Sequence, residues 1–272
     1  MKISFVTFAD GRYKPTLDRI RAEAISMNLF DSIFICSEDD FDDEYANKFF
    51  SQKRNKAIGF GYWCWKSWAI KNALDKIEFG EYLIYCDAGC SLQAKAANVL
   101  LEYCDSLEGE SDIIAFLQSW LEKQYDTEDI FDALNIKKDS PVRNLKQFFA
   151  GTIILKKTLK SCNLIETWYQ FCNDNYVVLS NENPVKANDE EFISSRYDQS
   201  VLSLLLHSYN GKVVYDINNL LPSFDDKDRL KPILVAHKKK YTFVQSLKDF
   251  PIRCINALGK MFLKKQIILR KK

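Results

Sequence analysis

Three adjoining stretches near the N-terminus constrain the fold most. Lys2 to Phe8 is a short apolar run of β-branched and aromatic residues, which predicts a strand that breaks at Ala9-Asp10-Gly11. Pro15 to Asn28 sets Leu17, Ile20, Ala24 and Ile25 at helical spacing, with Arg19, Arg21 and Glu23 on the other side. Asp31 to Ser37 is apolar again and predicts a second strand. Strand, helix and strand in such close succession are the signature of a parallel sheet. The pattern continues. Strands are expected at Tyr82–Cys86, Asp112–Phe116, Phe148–Leu155, Lys212–Tyr215 and Ile233–Ala236. Helices are expected from near Trp65 to Leu74, and at Asn98–Leu107, Thr158–Asn175 and Asp198–Leu206, with another running through Phe131. Glu38–Glu44, Asn181–Glu191 and Ser223–Pro232 read as polar loops. The expected class is α/β, a single mainly parallel central sheet flanked by helices.

At 272 residues and 47% hydrophobic content, the chain suits one large domain with a small appendage. We place the domain at residues 1–245 and a basic tail at 246–272. Lys+Arg 38 against Asp+Glu 37 leaves no global field for nucleic acid, and none is expected as a partner. The eight cysteines are scattered, several inside apolar runs, and no CxxC pair exists. That argues against zinc and for reduced thiols in a cytoplasmic compartment. The N-terminal MKISFVTFADG lacks a signal-peptide pattern, and no apolar run reaches the roughly 20 residues of a membrane span.

Chemistry concentrates in a few places. Tyr82 to Cys86 runs into Asp87, Ala88 and Gly89, placing a carboxylate at a strand end beside small residues that let a phosphate or metal approach. Taken alone, such an Asp also fits a turn or helix cap. GFGYWCWK, with Tyr62, Trp63 and Lys66, is either aromatic core or a surface whose rings pack on sugars or bases beside a lysine for phosphate. Asp198-Gln199 opens an apolar helix, as an N-cap or as a carboxylate and amide that bind sugar hydroxyls. His207 reads as a helix-face residue. His237, followed by Lys238, Lys239 and Lys240, belongs to a solvated face or meets a diphosphate or its metal. There is no GxSxG elbow, no P-loop and no complete GxGxxG.

In combination these segments resemble bacterial GT-A-type glycosyltransferases, specifically a capsule and lipopolysaccharide group with GYWxWK followed by a strand ending DAG. GFGYWCWK, YCDAGC, FFAGTIILKKT, RYDQSVLSLL and AHKKK match in that order. The chain is also similar, at greater distance, to glycosyltransferase family 8. That resemblance implies a metal site of Mn²⁺ or Mg²⁺ built from Asp87 and His237. Gly89 or Cys90 stands near the place of the family's second metal-binding Asp, so the site is weakened. It implies Asp198 and Gln199 beside the reacting sugar, and Ala150 and Gly151 where the donor sugar enters. Thr7, Phe8, Ala9 and Tyr13 match the nucleobase loop by position, and Ala88 adjoins the carboxylate. Lys56, Lys66 or Lys238 would supplement the charge at the diphosphate.

The implied activity is transfer of a hexose from a nucleoside-diphosphate sugar, expected to be a UDP-sugar, to a cell-surface glycan or lipid-linked acceptor, with retention of configuration. If the enzyme inverts instead, Asp198 is the first candidate base. Two other readings stand beside it: a non-catalytic nucleotide-sugar-binding protein and a nucleotidyltransferase. The tail from Arg253 to Lys272 has no acidic residue and interleaves basic with apolar side chains. It packs as a helix on the domain or lies on an anionic membrane surface.

Overall fold

The computed structural model describes residues 1–180, 184–221 and 231–235. In chain order the strands are β1 (Ile3–Phe8), β2 (Ser32–Cys36), β3 (Tyr82–Cys86), β4 (Ser91–Leu92), β5 (Ile113–Leu121), β6 (Lys146–Lys156), β7 (Lys212–Asp216) and β8 (Ile233–Leu234). The helices are α1 (Lys14–Met27), α2 (Asp43–Ser51), the single turn α3 (Gly59–Tyr62), α4 (Trp65–Leu74), α5 (Ala97–Asp105), α6 (Glu122–Tyr125), α7 (Glu128–Ala133), α8 (Leu159–Asp174), α9 (Tyr176–Ser180) and α10 (Asp198–Ser208).

Six strands form one sheet in the order β2-β1-β3-β6-β5-β7. β1 pairs parallel with β2 and β3, and β5 parallel with β7. Only β6 runs against its neighbours, β3 and β5. The expected α/β class with a mainly parallel sheet is therefore present. Alternation along each strand feeds two cores. Ile3, Phe5, Tyr82, Ile84 and Phe116 face α1 and α5. Val6, Phe8, Leu83, Tyr85 and Ile153 face α4, α8 and α10. Helices thus cover both faces, as a buried parallel sheet requires. β4 and β8 form a separate two-stranded ladder.

Three expectations need correction. The acidic stretch Glu38–Glu44 is not simply a solvated loop. Ser37 caps a turn at Glu38–Asp40, and Asp42 accepts from the Tyr45 N–H at 2.8 Å to start α2. The acids sit where helix N-termini favour them, and α2 buries Tyr45 and Phe49. In α1 the buried face is Leu17, Ile20, Ala24 and Met27, while Ile25 is exposed. β5 runs on to Leu121, through a register shift, beyond the expected end at Phe116. No described helix is long and apolar enough to cross a membrane.

The reversed strand β6 shapes one edge of the sheet. In an open parallel sheet, ligands bind beyond the carboxyl ends of the strands. Because β6 is reversed, its beginning lies beside the ends of β3 and β5, with Thr152 opposite Cys86 and Phe149 opposite Phe116. Gln147 to Gly151 therefore enter the same edge as Asp87.

Candidate active site

Asp87 directly succeeds the last residue of β3. Its N–H donates to the Gly151 carbonyl at 2.9 Å, and its own carbonyl accepts from Cys90 N–H at 2.8 Å, closing a tight turn. Arg19 of α1 holds that turn from beneath, donating to the carbonyls of Ala88 at 2.6 Å and Cys90 at 2.7 Å. Tyr85, two residues earlier and so on the same strand face, donates its hydroxyl to Asp87 Oδ1 at 2.7 Å. The Asp87 side chain is 36% exposed.

Lys66 projects from α4 into this edge and is buried. Its Nζ lies 3.2 Å from Asp87 Oδ1 and 3.2 Å from Asp198 Oδ2. Burial works against the ammonium, but Asp198 and then Asp87 outweigh it, and Lys66 is raised to about 12. It is a fixed positive charge at neutral pH. Asp198 is the first residue of α10 and its side chain is 4% exposed. Burial pushes it up to about 7, while Lys66 pulls the other way. Its Oδ2 lies against the Lys66 ammonium, which is its one charged partner on this side.

Gln199 sits beside it. Its Oε1 accepts from Ala150 N–H at 3.2 Å, and its Nε2 donates to Gln147 Oε1 at 2.7 Å. Gly151 has no room for a side chain, because a Cβ there would lie 2.2 Å from the Phe149 ring and 2.8 Å from Asp87 Oδ2. Lys66, Asp87, Ala150, Gly151, Asp198 and Gln199, drawn from four segments, thus form one constellation.

The aromatic segment reaches the same place by an unusual backbone. Gly59, Phe60, Gly61, Tyr62 and Trp63 all have positive φ, between 53° and 91°. Five consecutive residues in this region make a left-handed turn, which costs about 1–2 kcal/mol for each non-glycine residue. The glycines are required. A Cβ at Gly59 would lie 2.3 Å from the Trp63 ring, and one at Gly61 would lie 2.9 Å from Phe49. The turn presents Tyr62 and Trp63 to Tyr197, with ring centroids 5.0 and 5.8 Å apart. Tyr197 also has positive φ and immediately precedes Asp198. Phe60 and Tyr62 are buried, whereas Trp63 is half-buried, so the segment is part core and part surface.

The other residues expected at the site have separate surroundings. Thr7 is buried and donates its hydroxyl to the Cys86 carbonyl at 2.8 Å. Phe8 is buried and stacked on Trp65 at 4.2 Å. Ala9 is buried, with its N–H on the Cys36 carbonyl. Tyr13 is exposed under the Arg12 guanidinium. Lys56 is exposed, and Ala88 is buried. His237, Lys238 and the basic tail lie outside the described residues.

The described residues do not by themselves fit a divalent ion. Asp87 offers one carboxylate, and its Oδ1 already meets the Tyr85 hydroxyl and the Lys66 ammonium. Among the described residues no group of three or more His, Cys, Asp or Glu could hold a metal. Sequence reasoning missed Tyr85, Tyr197, Gln147 and Arg19. Only Tyr85 carried a signal, its two-residue spacing from Asp87.

No family model and no curated protein matches the chain. Similar solved structures include a glycosyltransferase involved in glycosylation of the major capsid of PBCV-1, at 12% identity and TM-score 0.48, covering 93% of this chain and 100% of that one. Another is mouse xyloside xylosyltransferase 1, at 13% identity and TM-score 0.44, covering 88% and 98%. A third is the galactosyltransferase LgtC in complex with donor and acceptor sugar analogs, at 12% identity and TM-score 0.41, covering 88% of each chain.

Proposed function

We propose that the chain is a GT-A-type glycosyltransferase that moves a hexose from a nucleoside-diphosphate sugar, a UDP-sugar first among them, to a glycan or lipid-linked acceptor. The observation that carries this reading is the buried Lys66 ammonium set between Asp87 and Asp198 at the carboxyl edge of β3. A donor needs positive charge where its diphosphate leaves, acceptors for its hydroxyls and an opening for its ring. Lys66 supplies charge, the part-exposed Asp87 carboxylate beside it supplies an acceptor, and Gly151, having no Cβ, lets that carboxylate lie against its backbone. In the retaining form of the reaction Gln199 borders the anomeric carbon, and the acceptor proton passes to the departing diphosphate oxygen, so no side chain acts as base. A divalent ion at Asp87 would draw its other ligands from outside the described residues, His237 among them. The tail would bring the enzyme to an anionic membrane bearing a lipid-linked acceptor.

One observation favours a second mechanism. A carboxyl raised to about 7 is well matched to a general base, so Asp198 suits deprotonation of an acceptor hydroxyl with inversion. NMR of the new anomeric linkage separates the two. The reaction class is tested by incubating the protein with a panel of nucleotide sugars, with and without Mn²⁺. Release of nucleoside diphosphate is expected, and it should fall in Lys66→Met and Asp198→Asn. Pyrophosphate release would instead mark a nucleotidyltransferase. Stabilisation by a nucleotide sugar without any turnover would mark a binding protein.

A further inference from the structure

Behind Gln199 lies a buried chain of polar groups that sugar transfer does not itself require. Glu122 opens α6 and Asp126 stands just past its end, one helical turn later, and both are buried. Glu122 Oε1 accepts from the Ser203 hydroxyl and from His207 Nε2, both on α10. Asp126 Oδ1 accepts from Gln147 Nε2 at 2.8 Å. The other two oxygens, Glu122 Oε2 and Asp126 Oδ2, have no donor. Yet the two residues are one turn apart, with the Asp126 N–H on the Glu122 carbonyl at 2.8 Å, and Glu122 acts on the Asp126 carboxyl both by charge and by hydrogen bonding. Two buried carboxyls bond to each other only with a proton between them. Burial and then the Glu122 charge push Asp126 well above the ordinary carboxylate range.

The consequence passes outward through two amides. Asp126 Oδ1 only accepts, so Gln147 turns its amino group inward and its carbonyl away. That carbonyl receives Gln199 Nε2 at 2.7 Å and Trp120 Nε1 at 3.2 Å. Gln199 is then left with its own carbonyl toward Ala150 N–H. Trp120 Nε1 and Ala150 N–H, which can only donate, hold the same two orientations, so the pair and these donors act together. We propose that Glu122 and Asp126 hold one shared proton and, with Gln147, act as positioning residues that fix which end of the Gln199 carboxamide faces the reacting sugar. The part concerning Gln199 rests on the glycosyl-transfer reading; the shared proton does not.

The groups facing the pair are few. α10 brings His207, Ser200 and Ser203, and β6 brings Gln147. β5 has no charged side chain. Arg143, ahead of β6, is paired with Glu128, Lys123 with Glu191, and the Arg196 guanidinium lies over the rings of Trp120 and Tyr125. These neighbours set the sign of the pH effect. The protonated carboxyl supports the fold fully below the ordinary carboxyl range, and that support is lost as pH climbs to its folded value. Above it, two buried carboxylates repel each other, and that repulsion works to move Asp126 off Gln147.

Infrared difference spectra of the full chain at neutral pH, in H₂O and D₂O, test the proton directly. Asp198, itself at about 7, also contributes at neutral pH, so the band sought is a protonated-carboxyl C=O band, shifted by deuterium and still present in Asp198→Asn, that disappears in both Asp126→Asn and Glu122→Gln, where an N–H replaces the proton. The exposed control Glu110→Gln should keep it. A wild type without the band, or a band that survives both substitutions, overturns the shared proton whatever the activity. The positioning role is read from kinetics with thermal melting as a folding check. Gln147→Leu should lower kcat about tenfold, or about 1.4 kcal/mol, with donor KM held. Asp126→Leu should behave likewise, and Asp126→Asn should restore most of the loss and remove the alkaline fall in kcat. A folded Gln147→Leu with wild-type kcat overturns positioning. A wild type that shows the band but turns over no nucleotide sugar sinks the glycosyl-transfer reading and leaves the proton standing.

Discussion

Replacing Lys66 by methionine tests the centre of the site. Methionine keeps most of the apolar stem and removes the ammonium that lies 3.2 Å from each of two carboxylates. Asp87 is more than a third exposed and is rehydrated, so its share of the loss is small. Asp198 is 4% exposed and is not. Removing one partner of a buried pair costs about 3–5 kcal/mol when the other charge stays. Asp198 already stands at about 7, so it escapes part of that cost by taking a proton. Without Lys66, burial and Asp87 raise it further. Asp198 is then neutral at about pH 5 in both proteins, whereas at about pH 8 the wild type holds an ion pair and the variant does not. We expect a loss of about 2–3 kcal/mol at the higher pH and clearly less at the lower one. Urea unfolding at the two pH values measures it. A loss that is equal at both, or absent at about pH 8, would refute the claim that a charge pair organises the site.

Gly151→Ala places a Cβ 2.8 Å from Asp87 Oδ2 and 2.2 Å from the Phe149 ring, so both must withdraw. We expect donor turnover to fall about 100-fold through misplacement of Asp87, with melting showing about 1–3 kcal/mol of overpacking. In a pH series, kcat/KM should rise through about 7 as Asp198 ionises; a flat profile across neutrality would count against its role in the free enzyme. Dialysis against EDTA and then addition of Mn²⁺ or Mg²⁺ should remove and restore turnover, and Asp87→Ala should weaken the restoration. Full activity in EDTA, with Asp87→Ala near wild type, would leave Lys66 alone at the diphosphate.

The sheet was legible because each strand is a short apolar run closed by polar or small residues, as Tyr82–Cys86 is by Asp87. The reversal of β6 was not, since FFAGTIIL reads the same in either direction. Asp87, Asp198, Gln199, Ala150, Gly151 and Lys66 stood out as types at segment ends, yet nothing local announced that Lys66 would lie between two acids, because that contact is tertiary. Acid-rich Glu38–Glu44 was misread for a physical reason: caps and solvated loops use the same residues. GFGYWCWK was read for its rings and its lysine, and five left-handed residues in a row depend on Trp63, Phe49 and Tyr197 packing around them. Glu122, Asp126 and Gln147 gave no signal, because buried polar groups are recognised only by what surrounds them.

The reach of the Lys66 contacts also bears on how the protein is made. Its second carboxylate, Asp198, lies 132 residues further along the chain, and the Asp87 N–H finds its carbonyl at Gly151, 64 residues on. Contacts of such separation close late and slow folding. On the ribosome, Lys66 emerges long before the helix that will neutralise it. A nascent chain ending short of α10 holds the ammonium against Asp87 alone, beside a sheet edge not yet roofed. The central charge pair thus waits for α10, ahead only of the ladders that β7 and β8 complete, and a chain stalled before it leaves Lys66 without its second carboxylate.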